Sequence, residues 1–425
     1  MTTTAPSAQA PSTHSAVRHP LRTHPGYRAV WTGDLVSQFG SKITEFVLPL
    51  LLVTTLHASS LQVGAVQTLY TAPFFVLPLF AGVWLDRRTK RPVMIVSDLL
   101  RFALVLCVPV LTLLGSLTMW HVYAAALSVG ALSVIYDIAA AAYLPELLPQ
   151  EQLPAANSMV TANQAVGGTT GPGLSGWLIG VFGPAATLVF DALSYLASAT
   201  ALMLVNHREQ PVPRSGKRDL RRELADGLRS VLKNPPIRAV ALHAGIYNAG
   251  IALTNLAFLM FFVRELRHSS AQFGTVMVAG GLGAVVGALT APRLIRRLGF
   301  GRAFQCVLLF STTAYFLLPM AEGRALDVLW CGLAYFLGTF GASGGSVIAV
   351  TMRQQLTPPD VYARMTATYR LIGFGALSLG TVTAGVLIDS VGARTVLWTA
   401  PLVLLASAAP ILTRPVRTLS WNPKA

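Results

Sequence analysis

The apolar positions of this chain fall in long, nearly unbroken runs, not in the alternating or three-four spacing of half-buried strands and surface helices. Twelve runs are long enough to cross a bilayer, which takes about 20 apolar residues in a helix. They cover residues 29–56, 61–83, 93–114, 119–145, 155–182 and 184–205, then 237–263, 271–291, 303–321, 326–352, 361–388 and 391–412. Glycines and prolines inside several of them suit membrane helices, where neighbouring helices re-satisfy the freed backbone groups. The pattern predicts an all-α integral membrane protein with twelve transmembrane helices. Residues 1–28 read as a disordered tail, 29–206 as an N-terminal six-helix bundle, 207–236 as a linker, 237–412 as a C-terminal six-helix bundle and 413–425 as a second tail. The first tail is rich in Ser, Thr, Ala, Pro and His and has no apolar h-region, so it does not read as a signal peptide.

The two halves repeat at a constant offset of 209 residues. Leu147 matches Leu356, Pro149 matches Pro358, Gly171 matches Gly380, Gly176 matches Gly385 and Gly183 matches Gly392. Leu196-Ala197-Ser198 then matches Leu405-Ala406-Ser407. Six spans separate the copies, so they share membrane orientation. Parallel repeats of this kind are related by an axis along the membrane normal, with a substrate site between the halves near the midplane.

In the linker, prolines at 211, 213, 235 and 236 bracket Leu220, Leu224, Leu228 and Val231, which recur at helical spacing among charged residues. Two readings stand: an amphipathic helix on the cytoplasmic surface, or a partly ordered connector.

Composition sharpens the picture. Apolar residues make up 53% of the chain and charged residues 12%, half the soluble share of roughly 25%. A soluble enzyme of this size lacks the polar surface it needs and is excluded. Cys107, Cys306 and Cys331 all lie in apolar runs with no CxxC pair, so neither a disulfide scaffold nor a metal site is implied.

The net charge of +15 raises the question of nucleic acid. Its distribution answers it. One set of alternate loops, with both tails, carries 25 Lys and Arg, nine of them between Arg208 and Arg238. The other set carries only Arg264, Arg267, Arg324 and Arg394, while Lys42, Arg101 and Arg370 fall inside spans. Basic loops face the cytoplasm, which places both termini there. The charge is a topology signal, and no nucleic-acid partner is expected.

The loop after the second span reads Gly82-Val-Trp-Leu-Asp86-Arg87-Arg88-Thr89-Lys90-Arg91. It resembles the signature of the major facilitator superfamily, with Thr89 where that family has a turn glycine. The matching loop of the second half, 293–302, keeps glycines and basic charge without the acid. Span five carries Gly167-x3-Gly171-Pro172-x3-Gly176, similar to the antiporter motif of exporters in that superfamily. Residues 144–149, Asn157-Ser158 and Asp191-Ala-Leu-Ser194 add a resemblance to its twelve-span drug/proton antiporter branch, which includes macrolide-efflux and siderophore-export proteins of bacteria. The resemblance covers about residues 28–412. It implies the major facilitator fold, alternating access and a place in the bacterial inner membrane.

At the cytoplasmic end, Asp86 is placed to accept from free N–H groups at a helix N-terminus of the other half, and Arg87 or Arg91 to pair with it or with Glu146. The set Gly82, Asp86, Arg87, Arg91 and Glu146 reads as a conformational latch, or alternatively as a solvated basic loop. In span five, glycines four apart allow close helix approach and Pro172 bends the helix. Packing alone and a specific role in antiport both account for Gly167, Gly171, Pro172 and Gly176.

Charges inside spans are costly and mark cavities or partners, at roughly 2.5–3.5 kcal/mol each on insertion scales. Asp34, Gln38, Ser41, Lys42 and Glu45 share one face of span one, with Lys42 and Glu45 three apart. The candidates for proton coupling are Glu45, Asp34 and Asp137. Those for the substrate cavity are Gln38, Lys42, Gln67, Tyr70, Gln164, His243 and Asn248.

Gly341-Ala-Ser343-Gly-Gly345 matches a nucleophile elbow in letters but lies mid-span, and no phosphate-binding Gly-x4-Gly-Lys loop occurs. The expectation is a non-enzymatic, monomeric secondary transporter without a cofactor, exporting an amphipathic small molecule in exchange for protons. An importer or uniporter on the same fold is one alternative. A transport-inactive receptor or assembly partner is the other.

Overall fold

The computed structural model describes residues 20–85, 88–206, 209, 228–229, 231–324, 326–357 and 359–417, and among these there is no strand. A first group of helices comprises α1 (Pro25–Thr54), α2 (Ser60–Thr71), α3 (Pro73–Leu85), α4 (Lys90–Leu113), α5 (Met119–Leu147), α6 (Leu153–Phe182) and α7 (Pro184–Met203). A second comprises α8 (Pro235–Met260), α9 (Ser270–Ala314), α10 (Asp327–Leu356), α11 (Pro359–Val391) and α12 (Ala393–Ala406). Nine helical segments among the described residues are long and apolar enough to cross a membrane.

Two local features separate these segments from the twelve runs. The run expected at 61–83 is divided at Ala72, because Pro73 has no N–H to continue the ladder of α2. The runs expected at 271–291 and 303–321 join into one long element, which turns at Gly299 with φ 75°. A non-glycine residue there would be strained. Helix also begins earlier than expected. Tyr27 and Arg28, assigned to the tail, belong to the first turn of α1, and Tyr27 is buried against Leu148 and Ala156.

The surface is apolar around the bundle, with Leu113, Leu289, Leu329 and Leu379 all exposed. Trp120, Trp177 and Trp330 stand out near one end and Trp84 near the other, where amphipathic rings favour a membrane interface. Without a hydrophobic drive between helices in lipid, close packing rests on small residues. Gly130 lies on the Tyr70 carbonyl, Gly283 on that of Phe336 and Gly287 on that of Phe340. Gly341, from the elbow-like sequence, packs on Val307 and Ser311 in the same way.

The sequence repeat recurs in the backbone. Gly183 closes α6 with φ 80° and ψ 164°, and Gly392 closes α11 with φ 86° and ψ 154°. Each donates its N–H to a carbonyl four residues back, Ile179 at 2.9 Å and Ile388 at 3.0 Å. Gly171 of α6 presses on Lys42 of α1, and Gly380 of α11 presses on Ala249 of α8.

The two groups pack mainly among themselves and meet along α2–α11 and α6–α9. The end carrying Pro25, Leu147, Leu356 and Leu412 is called the terminal end here, and the end carrying Thr54, Ser60, Asp327 and Val391 the far end. At the far end the groups are joined tightly. Asp389 of α11 accepts from the Ser60 and Leu61 backbone N–H, each at 3.1 Å. Arg264 donates to the Ala58 carbonyl, and Phe46 stacks at 5.3 Å on Phe273. Deeper in, Thr71 and Ser378 share a 2.8 Å hydrogen bond, and the rings of Phe74 and Phe374 lie 6.3 Å apart.

Candidate functional site

Along α1, α2, α5 and α6, polar and charged side chains of the first group collect at membrane depth. On α1, Lys42 donates to Glu45 at 2.5 Å, an i,i+3 pair. The Glu45 side chain is 59% exposed although the next helical turns, Val47 and Leu50–Val53, are buried. Glu45 and Asp137 both lie within electrostatic reach of the Tyr70 hydroxyl on α2. Gln67 stands one turn from Tyr70 on the same helix and is half-buried. Asp34 accepts from Asn163 of α6 at 3.2 Å and from Gln38 one turn along its own helix.

Of the span-five glycines, Gly167 and Gly171 are buried against α1. A Cβ on Gly171 would stand 2.6 Å from Cβ of Lys42. The glycine step therefore holds α6 against the residue that pairs with Glu45. The side-chain surroundings of Gly82, Gln164, Pro172 and Gly176 lie outside the described residues, as do Asp86 and Arg87 of the loop. So do Leu220 and Leu224 of the linker, while Val231 is buried with Ile237, Ala241 and Met365.

Two expectations are corrected. Glu146 takes Lys90 as its partner, at 3.3 Å, and not Arg91. Arg91 instead donates through Nε to the Leu202 carbonyl and through Nη2 to that of Met203, each at 2.8 Å, at the C-terminal end of α7. His243 does not line the cleft. It is buried with Nδ1 2.9 Å from the Ser407 carbonyl, its ring edge-on to Phe304 at 5.2 Å. Asn248 turns its amide to the Ala244 carbonyl of its own helix at 2.8 Å, beside Gly373 of α11.

Sequence reasoning singled out Arg101 and Asp191 as residues within spans but missed the cluster that they join inside the first group. Asp98 and Arg101 of α4 are both buried and form an ion pair through Oδ1 and Nη2. The Arg101 guanidinium lies between the rings of Tyr136 (4.4 Å) and Tyr195 (4.5 Å). The Tyr195 hydroxyl is 2.9 Å from Ser41 Oγ on α1, and Asp191, also buried, accepts from Thr44 of α1 and from Ser194. The i,i+3 Asp–Arg spacing within an apolar run was the signal available. A second missed residue is Glu209, whose carboxylate accepts from the Lys90 and Arg91 backbone N–H at 2.5 and 2.6 Å, capping α4. Among the described residues, no group of three or more His, Cys, Asp or Glu side chains is arranged to hold a metal ion.

A family model described as "Transmembrane secretion effector" matches residues 15–423. The multidrug efflux pump Tap of Mycolicibacterium fortuitum is 25% identical over 397 residues, 89% of this chain and 94% of that protein. The enterobactin exporter EntS of Salmonella typhi is 27% identical over 356 residues, 81% of each. Among solved structures, a bacterial homologue of the iron transporter ferroportin in its inward-facing state superposes with a TM-score of 0.73 at 17% identity, over 91% of this chain and 98% of that one. The nucleoside transporter NupG gives 0.73 at 12% identity, over 91% and 99%.

Proposed function

Because this chain belongs to the transmembrane secretion effector family of the major facilitator superfamily, a family of transporters and not enzymes, we propose that it is a proton-coupled exporter. It works by alternating access in a bacterial inner membrane, with twelve spans and both termini in the cytoplasm. The observation that carries the reading is the exposure of Glu45, Asp137 and Arg370 at membrane depth beneath a joined far end. Charges at that depth are retained where they face water or a transported partner. A cleft open toward the terminal end, and so toward the cytoplasm, is the state from which an exporter loads.

The relatives named for multidrug efflux and enterobactin export support an amphipathic small molecule as substrate. In this reading the cleft walls are Gln38, Lys42, Gln67, Tyr70, Gln164 and Asn248, and the proton carrier is Glu45, with Asp34 nearer the cytoplasm and Asp137 as the competitor. Asp86, Arg87, Arg91 and Glu146 brace the cytoplasmic ends, and Gly167, Gly171, Pro172 and Gly176 set the contact of α6 with α1. The test is flux in inverted membrane vesicles carrying a pH-sensitive dye, with a panel of amphipathic drugs and catecholate siderophores. Uptake of at least one compound with proton release supports the reading. Uptake without proton movement removes the coupling, and no uptake across the panel removes the exporter.

A further inference from the structure

One cation at this depth has no role above. Arg370 lies in α11, exposed, with no hydrogen bond or ion pair to any described residue. Its place on the helix is informative. Residues four apart share a helical face, and Phe374, Ser378 and Gly385 on that side of α11 touch Phe74, Thr71 and Leu61 of the first group. Asp389 continues the same line to Ser60. Arg370 is therefore the next residue of the face that α11 turns toward the first group, one turn beyond its last contact.

Across from it stands Asp137. It is exposed on α5, two turns from Gly130, which packs on the Tyr70 carbonyl. It lies ten residues before Leu147, about 15 Å from the terminal end at 1.5 Å per residue. Arg370 lies eleven residues after Pro359, about 16 Å from the same end. The two share a depth, and their charges are close enough to interact. Between them the rings of Tyr70, Phe74 and Phe374 step across the boundary at 6.4 and 6.3 Å, so the far-end contact roofs the gap and the pair stands directly beneath it. The other charged groups within reach of Asp137 are Arg101 of α4 and Asp34 of α1, while Glu45, held by Lys42, lies toward the far end.

We propose that Asp137 and Arg370 form an ion pair between the two halves when the terminal end of the cleft closes. In the structure the two charges interact only at a distance, and closure brings them into contact, which adds attraction to the closed state. Asp137 is thereby a group through which cleft occupancy sets conformation, and Arg370 is a positioning residue for transport. Its role in transport rests on the exporter reading, whereas the approach of the two charges does not.

The test reads closure without any substrate. Ala141, exposed one turn from Asp137 on the terminal side, is replaced by cysteine in a protein whose Cys107 and Cys306 are serine. Its labelling by a membrane-impermeant maleimide is then timed in inverted vesicles. Arg370→Gln and Asp137→Asn should each raise the rate about threefold, as loss of a half-exposed ion pair predicts. Arg370→Lys and the exchange Asp137→Arg with Arg370→Asp should return it to the parent value. Equal rates in the neutral variants, or an exchange that labels as fast as they do, overturn the pair. Membrane yield of the Arg370→Lys protein controls for folding. Unaltered labelling alongside intact export would overturn the pair and leave the exporter standing, and the expected labelling without export would do the reverse.

Discussion

Asp389 holds the first turn of α2 from the other half of the molecule, its two carboxylate oxygens each 3.1 Å from a backbone nitrogen, that of Ser60 and that of Leu61. The positive end of a helix favours an anion, and these N–H groups have no partner within α2. The sequence suggested the same kind of arrangement for Asp86 at the opposite end of the membrane; here it joins residues 329 positions apart.

The far-end clamp yields the first prediction. Asp389→Asn keeps an oxygen acceptor and loses the charge, which is worth about 0.3–1 kcal/mol at an exposed helix terminus. The far end should open more often by about two- to fivefold. A cysteine at Leu61, which Gly385 covers, should be alkylated from outside intact cells that much faster. Unchanged alkylation would mean that Arg264 and the Phe46–Phe273 stack hold that end without Asp389.

The second concerns Gly171. Alanine there places Cβ 2.6 Å from Cβ of Lys42, a backbone-near atom that cannot swing aside. Overpacking costs typically 1–3 kcal/mol, and here the strain falls between α1 and α6. Gly171→Ala should lower the thermal midpoint of the purified protein in detergent. Gly167→Ala, whose Cβ would meet its nearest atom at 3.7 Å, should leave it almost unchanged. Equal midpoints for both variants would show that α6 does not press on α1 as described.

The third concerns the buried pair of α4. Removing one partner leaves an uncompensated buried charge, at a cost of about 3–5 kcal/mol, whereas replacing both by apolar groups of similar size is often neutral. Arg101→Met alone should reduce folded yield and thermal midpoint sharply. Asp98→Leu with Arg101→Met should restore most of the loss. A double variant as unstable as the single would place the value of Arg101 in its stacking on Tyr136 and Tyr195 and not in the ion pair.

What could be read from the sequence follows from what is local. Long apolar runs signal membrane helices because each helix meets its own hydrogen bonds, and the 209-residue repeat surfaces again in the matching turns at Gly183 and Gly392. The Lys42–Glu45 pair was legible because it depends only on helical spacing. His243 misled because a polar residue in a span points equally well to a cleft or to a carbonyl on a neighbouring helix, and Ser407 supplies the carbonyl. Arg101 between two rings and Asp389 on a distant helix depend on which helices are neighbours, and residue order does not state that.

The last prediction concerns the proton. An exchanger needs a group that is charged in one conformation and neutral in the other, reached by water from each side in turn. Glu45 meets the geometric half of that requirement. Its side chain is largely exposed midway along the far half of α1, and its partner Lys42 sits against Gly171 on the helix that also contacts α9. A shift of α6 relative to α1 therefore acts on the lysine that balances it. Glu45→Gln should abolish proton-driven export and preserve downhill exchange of substrate, since a neutral side chain of the same shape still permits both conformations. The measurement is proton release on adding substrate to reconstituted vesicles. Wild-type release from the Glu45→Gln protein would exclude Glu45 as the carrier, and Asp137→Asn, which loses the acid facing Arg370, would then be the variant expected to uncouple.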